Sequence, residues 1–349
     1  MILDQSGPII EMRGLCRRFG AVRAVEGLDL TIYRGEIFGL VGPDGAGKTT
    51  TLRLLAAIMD PSAGTATVAG FSTVRQSEAI KRRIGYMAQQ FSLYGDLSVW
   101  ENLNFYADIF GVHGRDRRAR IDRLLDFARL RQFRERRAIN LSGGMQKKLA
   151  LACTLIHQPE ILLLDEPTLG VDPVSRREFW DILAELHIAG TTILVSTPYM
   201  DEAERCSRIG LLFQGRLMVC DTTDKVRAMV RGELLEFRPA DMEAARQASA
   251  ALADMEGVLE IQTYGDLLHV FVDSLDQREA QVLGRLEAAQ VRYSGLRRTQ
   301  PRMEEAFISL IKRQTSAPSG DAKRAEPVEA RAPGQAQDAD QDLDKAEKL

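Results

Sequence analysis

The stretch GLVGPDGAGKTTTLRLLAAIM (Gly39–Met59) decides the fold of this 349-residue chain. It begins as a short apolar run typical of a buried strand, passes through a glycine-rich loop and ends in a leucine- and alanine-rich run typical of a helix. Gly42, Gly47, Lys48 and Thr49 fit the pattern G-x-x-x-x-G-K-[ST] in the strand-to-helix context that this pattern requires. The stretch therefore predicts a phosphate-binding loop in an α/β fold.

The residue types of this loop suit the phosphates of a nucleotide. Glycine lets the backbone approach a phosphate closely, because any Cβ would block that approach. We expect the helix N-terminus to attract phosphate oxygens, Lys48 to neutralise the terminal phosphates and the Thr49 hydroxyl to ligate Mg²⁺. The residues predicted to contact the nucleotide are Gly42, Gly45, Ala46, Gly47, Lys48, Thr49 and Thr50.

A second run, PEILLLDEPTLGVDP, supplies carboxylates to the predicted site. Four apolar residues, Ile161 to Leu164, indicate a buried strand that ends at Asp165 and Glu166. Two carboxylates at the end of a buried strand are costly unless they have a function. We expect Asp165 to hold Mg²⁺ through a water, and Glu166 to polarise the water that attacks the γ-phosphate. The structural alternative is a strand followed by an acidic helix cap.

Between these motifs, LSGGMQKKLALACTLI opens an apolar-periodic helix with one serine and two glycines, as a second anion-binding helix start would. One nucleotide cannot easily use two such loops of the same chain. Over residues 8 to 225 the chain resembles the ATP-binding subunits of ABC transporters. The resemblance lies in four motifs, which occur in the order GPDGAGKTT, LSGGMQ, LLLDEP and GVDP. The resemblance implies that Ser142, Gly143 and Gly144 complete the ATP site of an opposing subunit in a head-to-tail dimer.

The same resemblance implies further roles and the ligands ATP and Mg²⁺. Phe19 resembles the aromatic residue that stacks on adenine, although one ring could equally belong to a core. Gln89 resembles the glutamine that senses Mg²⁺ and the γ-phosphate, and Asp172 resembles the aspartate that communicates between two sites. Catalytic roles are thereby expected for Glu166 and Gln89, and metal binding for Thr49, Gln89 and Asp165.

The strand ILVST departs from the family pattern at its end. Members of the family carry S-T-H there, and the histidine contacts the γ-phosphate, whereas this chain has Pro198. Proline has no N–H and no side-chain donor. The four histidines lie outside this segment, at His113, His157, His187 and His269. We therefore expect the site on this chain's own phosphate loop to bind ATP but to hydrolyse it slowly, since losing one transition-state donor costs on the order of 10²-fold in rate.

Pro198 also affects which subunits we expect this chain to bind. A homodimer would repeat the defect in both sites, while the intact segment from Ser142 to Gly144 could complete a competent site on another chain. The sequence thus favours a heterodimer with a second ATP-binding subunit, with a homodimer as the alternative, and a transmembrane permease as the further partner. VGPDGAGKTT together with the missing histidine resembles the N-terminal half of tandem ATP-binding proteins of multidrug-type exporters.

The domain organisation follows from changes in pattern. We predict an α/β, P-loop NTPase core of the ABC type at residues 8–228, with a helical subdomain at about 90–140. Alternating helix-like and strand-like runs predict a small α+β accessory domain at 230–314, with a hairpin tip at Tyr264-Gly265-Asp266. Residues 315–349 are rich in Ala, Pro, Asp and Gln, and this composition predicts a disordered tail.

Composition limits the function classes. With 45% hydrophobic and 27% charged residues the chain is expected to be globular, and its net charge of −3 gives no reason to expect nucleic-acid binding. The four cysteines are far apart, which indicates a reducing compartment. The sequence shows neither a membrane-span pattern nor a signal peptide. We expect a cytoplasmic protein bound peripherally to the inner face of the cell membrane through its permease.

Three functions compete on this basis. The first is an ATP-hydrolysing subunit that energises a multidrug-type exporter. The second is a near-inactive, ATP-binding regulatory subunit paired with an active ATPase, which Pro198 favours and the intact Glu166 opposes. The third is an ABC ATPase without a transport role, which would need tandem ATP-binding halves or a long coiled coil, and neither pattern is present in this sequence.

Overall fold

The computed structural model describes residues 7–90, 93–230 and 232–316, and it describes side chains as far as Lys312. These residues form three sheets. The strands are β1 (Pro8–Phe19), β2 (Val22–Tyr33), β3 (Ile37–Val41), β4 (Ala63–Val68), β5 (Phe71–Ser72), β6 (Ile84–Met87), β7 (Ile161–Asp165), β8 (Thr192–Thr197), β9 (Arg208–Phe213), β10 (Arg216–Thr222), β11 (Glu233–Pro239), β12 (Val258–Tyr264), β13 (Leu267–Val272) and β14 (Tyr293–Thr299).

The helices cover the central sheet and parts of the other two. They are α1 (Lys48–Leu55), α2 (Ser77–Lys81), α3 (Val99–Ile109), α4 (Gly114–Phe127), α5 (Gly143–Thr154), α6 (Pro173–Ile188), α7 (Met200–Ala203), α8 (Thr223–Ala228), α9 (Met242–Ala253), α10 (Leu275–Ala288) and α11 (Met303–Ser316). In the described part of the chain, no helix combines the length and the apolarity needed to cross a membrane.

The central sheet positions the predicted site. Its strand order is β10-β9-β3-β8-β7-β6, and β9, β3, β8, β7 and β6 run parallel. The strands β3, β7 and β8 are neighbours, so their carboxyl ends meet at one edge, where ligands bind in open α/β sheets. This edge receives the phosphate loop, the two carboxylates and Pro198. The predicted α/β core is confirmed.

Both faces of the central sheet are buried, because alternate residues of each strand point to opposite faces. Along β7, Leu162 and Leu164 pack in the cluster that includes Phe179 of α6. The intervening Leu163 packs in the cluster that includes Leu52 of α1 and the antiparallel sheet with strand order β2-β1-β4-β5. Continuous burial of this kind explains why the strand sequences are apolar runs rather than alternating patterns.

A separate apolar cluster holds α3, α4 and the body of α5 together. α3 begins with a capping box, in which the Ser98 side chain accepts from the Glu101 N–H and the Glu101 carboxylate accepts from the Ser98 N–H. The basic run in the sequence forms α4, a helix that buries Ile121 and Leu125. α3 and α4 lie within residues 90–140, for which the sequence predicts a helical subdomain.

The C-terminal part is an antiparallel sheet with strand order β12-β13-β11-β14, covered by α9 and α10. Its hairpin turns at Gly265, which adopts φ +61°, as the pattern predicted. α11 leaves this sheet and packs against α7 and α8, so that Met303 shares a cluster with Met200 and Ala203. The tail predicted from residue 315 lies outside the described residues from 317 onward.

Candidate nucleotide site

Two glycines of the loop are required by neighbouring backbone. A Cβ on Gly42 would lie 2.2 Å from the carbonyl oxygen of Leu212. Gly47 has φ +105°, and a Cβ there would lie 2.3 Å from the carbonyl oxygen of Ala24. A Cβ on Gly45, by contrast, would meet open space. The sequence attributes these glycines to the phosphate alone, but close packing against the backbone of Leu212 and Ala24 already requires two of them.

Lys48 is the cation at the centre of the site. Its Nζ donates to the carbonyl oxygens of Gly42, at 2.8 Å, and Pro43, at 3.0 Å. It also lies 3.1 Å from Oε1 of Glu166, and both side chains are almost fully buried. A buried ammonium and a buried carboxylate each need such a partner. The structure thus joins two predicted site residues that are far apart in the sequence.

Asp165 has one satisfied oxygen and one unsatisfied oxygen. Oδ1 accepts from the Thr49 hydroxyl at 3.0 Å and from the Ser196 hydroxyl at 2.7 Å. Oδ2 is buried and has no hydrogen-bond partner among the described residues. A buried oxygen of this kind is costly unless something binds it. A hydroxyl and a free carboxylate oxygen side by side are hard oxygen donors that fit Mg²⁺.

Glu166 is held in a conformation that is rare for a non-glycine residue, with φ +45°. Its N–H donates to Oγ of Ser196 at 3.0 Å, and its Oε2 accepts from Nε2 of Gln89 at 2.8 Å. The Gln89 carbonyl oxygen in turn accepts from Nζ of Lys147 at 2.9 Å. Glu166 and Gln89, both predicted to be catalytic, are therefore in direct contact.

Lys147 is a site neighbour that the sequence argument missed, although it directly follows LSGGMQ. Burial lowers its pKa, and the nearby charges of Asp165 and Glu166 partly oppose this effect. Because Lys147 lies in α5, it links the start of that helix to the phosphate edge. The sequence could not predict the contact between Lys147 and Gln89, because its acceptor is a backbone carbonyl, which every residue has.

Pro198 follows directly after β8, beside the phosphate loop. Thr197 pairs with Val41 at the end of β3, and the Gly42 N–H donates to the Thr197 carbonyl oxygen at 3.4 Å. The histidines lie on other elements: His113 precedes α4, His157 follows α5, His187 lies in α6 and His269 lies in β13. None of these four histidines therefore follows β8 directly, and Pro198 itself has no hydrogen-bond donor.

The serine and glycines of LSGGMQ start α5. The Ser142 hydroxyl accepts from the Met145 N–H at 3.3 Å. A Cβ on Gly143 would meet open space, while one on Gly144 would lie 2.4 Å from Cβ of Ser175 in α6. This close approach brings the start of α5 next to the start of α6. The segment predicted to complete the ATP site of an opposing subunit, Ser142 to Gly144, therefore lies beside the start of α6, which follows Asp172.

Asp172 caps α6, since its Oδ1 accepts from the N–H groups of Val174, at 3.1 Å, and Ser175, at 2.9 Å. The hydrogen bond from the Ser175 N–H is the main cause of a lowered Asp172 pKa. Phe19 lies at the end of β1 with 44% of its surface exposed. The guanidinium carbon of Arg17 lies 4.7 Å from its ring centre, so one face of the ring already has a partner.

Comparison with known proteins places these motifs in a family. A family model described as ABC transporter matches residues 25–169. The probable multidrug ABC transporter ATP-binding protein YbhF of Escherichia coli is 40% identical over 308 residues, which cover 87% of this chain and 52% of that protein. The chain thus spans about half the length of this relative.

Another relative matches this chain over nearly its whole length, and a solved structure has a similar fold. The daunorubicin resistance ATP-binding protein DrrA3 of Streptomyces coeruleorubidus is 34% identical over 304 residues, covering 86% of this chain and 95% of that protein. A dimeric post-hydrolysis structure of the ATP-binding cassette MJ0796, bound to ADP and Pi, is 26% identical with a TM-score of 0.56 and covers 61% of this chain and 98% of that one. The chain therefore belongs to the family of ABC transporter ATP-binding proteins.

Proposed function

We propose that this chain is an ATP-binding and ATP-hydrolysing subunit that energises a multidrug-type membrane exporter, and that Pro198 slows its own ATP site. The observation that carries the proposal is the network of Lys48, Thr49, Asp165 and Glu166 at the edge of the central sheet, in which all but the half-buried Thr49 are buried. The names of the relatives, a multidrug ATP-binding protein and a daunorubicin resistance ATP-binding protein, support the export role.

In this proposal, nucleotide binding rearranges an existing ion pair. Lys48 has Glu166 as its counter-ion at 3.1 Å. A γ-phosphate brings a competing anion to Lys48, which weakens the hold of Lys48 on the Glu166 carboxylate. Glu166 can then accept a proton from the attacking water as a general base, with Gln89 as its hydrogen-bond partner. Burial of both charges makes this exchange strong, since little water screens it.

We propose that Mg²⁺ is held by Thr49, Asp165 and Gln89. The hydroxyl of Thr49 and the unpartnered Oδ2 of Asp165 fit a hard cation. When bound, Mg²⁺ supplies charge neutralisation for the phosphates of ATP. The loop Gly42–Thr50 is proposed to bind the phosphates through its N–H groups, and Phe19 to contact the adenine through the ring face that Arg17 does not cover.

The dimer partner and the permease belong to the proposal. Gly143 has open space above it and Ser142 caps α5, so this helix start is available to the phosphates of a nucleotide on a second subunit. Asp172 lies next to it and is proposed to communicate between the sites. A heterodimer is favoured because a homodimer would repeat Pro198 in both sites, and the resemblance to the N-terminal half of a tandem protein is compatible with the half-length match to YbhF.

We further propose that residues 8–228 are the ATP-binding domain and that the helical subdomain at about 90–140 contacts the permease. Residues 230–314 would then be an accessory domain, which the separate sheet of β11 to β14 supports. The subunit would lie at the inner face of the membrane, attached through the permease.

The test is ATP turnover of the purified chain, wild type beside Pro198→His, with the ATP dissociation constant measured for both. We expect ATP binding in both and a gain in turnover on the order of tenfold or more in the variant, since the imidazole supplies the missing donor. If wild type already turns over ATP rapidly and the variant adds nothing, the idea of a slowed site is wrong. If neither binds ATP, the whole proposal fails.

Pro198 also supports a second candidate, a regulatory subunit that binds ATP without meaningful hydrolysis. The same pair of proteins separates the two. A Pro198→His variant that binds ATP but still does not hydrolyse it would favour the regulatory role, because the defect would then extend beyond one missing donor. The contact between Glu166 and Gln89 argues for the hydrolytic role.

A further inference from the structure

Glu202 is a buried carboxylate that the proposed chemistry does not use. It lies in α7, just after Pro198, and only 1% of its surface is exposed. Its Oε2 accepts from the Thr197 hydroxyl at 2.6 Å, and its Oε1 accepts from the Thr168 hydroxyl. Burying a carboxylate costs free energy unless it has hydrogen-bond partners. Here each oxygen of Glu202 accepts a hydrogen bond from a hydroxyl, and the two hydroxyls belong to different segments.

The two threonines belong to the two strand ends of the site. Thr168 follows Glu166 by two residues, after β7. Thr197 is the last residue of β8 and directly precedes Pro198. Glu202 therefore connects the segment that carries the proposed general base with the segment that carries the position of the missing histidine. The link is short, since each segment reaches it through one side-chain hydroxyl.

A third segment joins at the same carboxylate. Nε of Arg176 in α6 lies 3.6 Å from Oε1 of Glu202, and its guanidinium carbon lies 4.4 Å from the ring centre of Tyr199. Tyr199 donates its N–H to the Thr197 hydroxyl at 3.1 Å, which orients that hydroxyl toward Glu202. α6 is the helix that Asp172 caps. The carboxylate thus contacts the segment that follows β7, the end of β8 and, through Arg176, the helix α6.

We infer that Glu202 is a positioning residue for ATP hydrolysis, which fixes Glu166 and residue 198 relative to one another. This inference rests on the proposed function. Lys48 and the phosphate loop make no contact with Glu202 in the described hydrogen-bond network, so ATP binding should depend on it little. Hydrolysis should depend on it strongly, because a small displacement of a positioned group is costly in rate.

The experiment is a double-mutant cycle in the full chain between Pro198→His and Glu202→Ala. We expect Glu202→Ala to abolish the gain from Pro198→His, with kcat lower by about tenfold or more and the ATP dissociation constant changed by less than about threefold. Glu202→Gln should restore part of the gain, because its amide can still hydrogen-bond both hydroxyls, and it also serves if the alanine variant does not fold. Additive effects in the cycle would overturn the inference.

Glu236→Gln is the matched control. Glu236 is 2% exposed, and it accepts from Arg297 at 2.8 Å and lies 3.1 Å from Nε2 of His269, in the C-terminal sheet. Its loss should lower the melting temperature without removing the gain from Pro198→His. If Glu202 variants lose melting temperature, kcat and ATP binding together, as a merely structural residue would cause, Glu202 is not a positioning residue.

A second readout does not depend on turnover. Hydrogen exchange, followed by mass spectrometry, should rise in Glu202→Ala in both the peptide with Thr168 and the peptide with Thr197. An increase confined to α7 would contradict the link. If wild type and Pro198→His bind ATP but neither hydrolyses it, the proposed hydrolysis fails, while the exchange result still decides whether Glu202 joins the two segments.

Discussion

Strands β7 and β8 lie side by side in the central sheet and end at the same edge, yet their ends differ in chemistry. β7 ends at Asp165 and continues into Glu166, two buried carboxylates that bind Thr49 and Lys48. β8 ends at Thr197 and continues into Pro198, which offers no donor. The difference teaches that adjacent strands can end at one edge of a sheet and still present different chemical groups there.

Ser196 shows how tightly the two ends are joined. Its hydroxyl donates to Oδ1 of Asp165 at 2.7 Å and accepts from the Glu166 N–H at 3.0 Å. The backbone pairing places Asp165 opposite Ser196, so the register of two parallel strands creates this contact. The end of β8 therefore still supports the carboxylates of β7, although Pro198 itself has no hydrogen-bond donor.

The largest effect should come from removing the proposed base, Glu166, which follows β7. Glu166→Gln, introduced into the Pro198→His chain, should lower ATP turnover by about 100-fold or more, because the amide keeps the shape but cannot accept the proton. ATP binding should persist, which an ATP dissociation constant measured beside turnover would check. Unchanged turnover in this variant would remove Glu166 from the proposed chemistry and erase the contrast between the two strand ends.

A smaller effect should follow from cutting the connection between the ends. Ser196→Ala should lower the free energy of unfolding by about 1–3 kcal/mol, because buried Asp165 loses a donor. Urea denaturation measures this. The control is Ser249→Ala, which removes a hydroxyl bonded to the Ala245 carbonyl oxygen in α9 and should cost less than about 0.5 kcal/mol. Equal losses in the two variants would show that the register contact carries no special weight.

The smallest effect concerns the proline itself. Pro198→Ala should leave ATP turnover within about twofold of wild type, because both side chains lack a hydrogen-bond donor. This variant is also the control for Pro198→His, since it removes the ring without adding an imidazole. Turnover that rises with alanine as much as with histidine would attribute the slow site to the rigidity of proline rather than to a missing donor.

Much of this site was predictable because its signals are local. The phosphate loop, the strand before it and the helix after it occupy one continuous stretch, and the carboxylates follow an apolar run directly. Lys48, Thr49, Asp165 and Glu166 were therefore named from sequence, and the structure brings them together. Gly42 and Gly47 were also named, but for a different reason from the backbone contacts that the structure shows.

Lys147, Ser196 and Glu202 were missed because no local pattern indicates their contacts, even though Lys147 directly follows LSGGMQ. Each acts on a residue more than 30 positions away or on a backbone atom: Lys147 on the Gln89 carbonyl, Ser196 on Asp165, and Glu202 on Thr168. Strand register and helix packing create such contacts, and a single sequence records neither. The packing of α11 against α7, which places the C-terminal part beside the end of β8, is another contact of this long-range kind.

The sequence by itself determined the chemistry available at the sheet edge: one ammonium, two carboxylates, a hydroxyl and a proline. These identities follow from motifs whose spacing is local. Only the tertiary structure decided how the groups are paired, because the pairing of Lys48 with Glu166, and of Glu202 with both strand ends, depends on the order and register of parallel strands distant in the chain. Burial then makes these pairings matter, since charges removed from water must find partners within the protein.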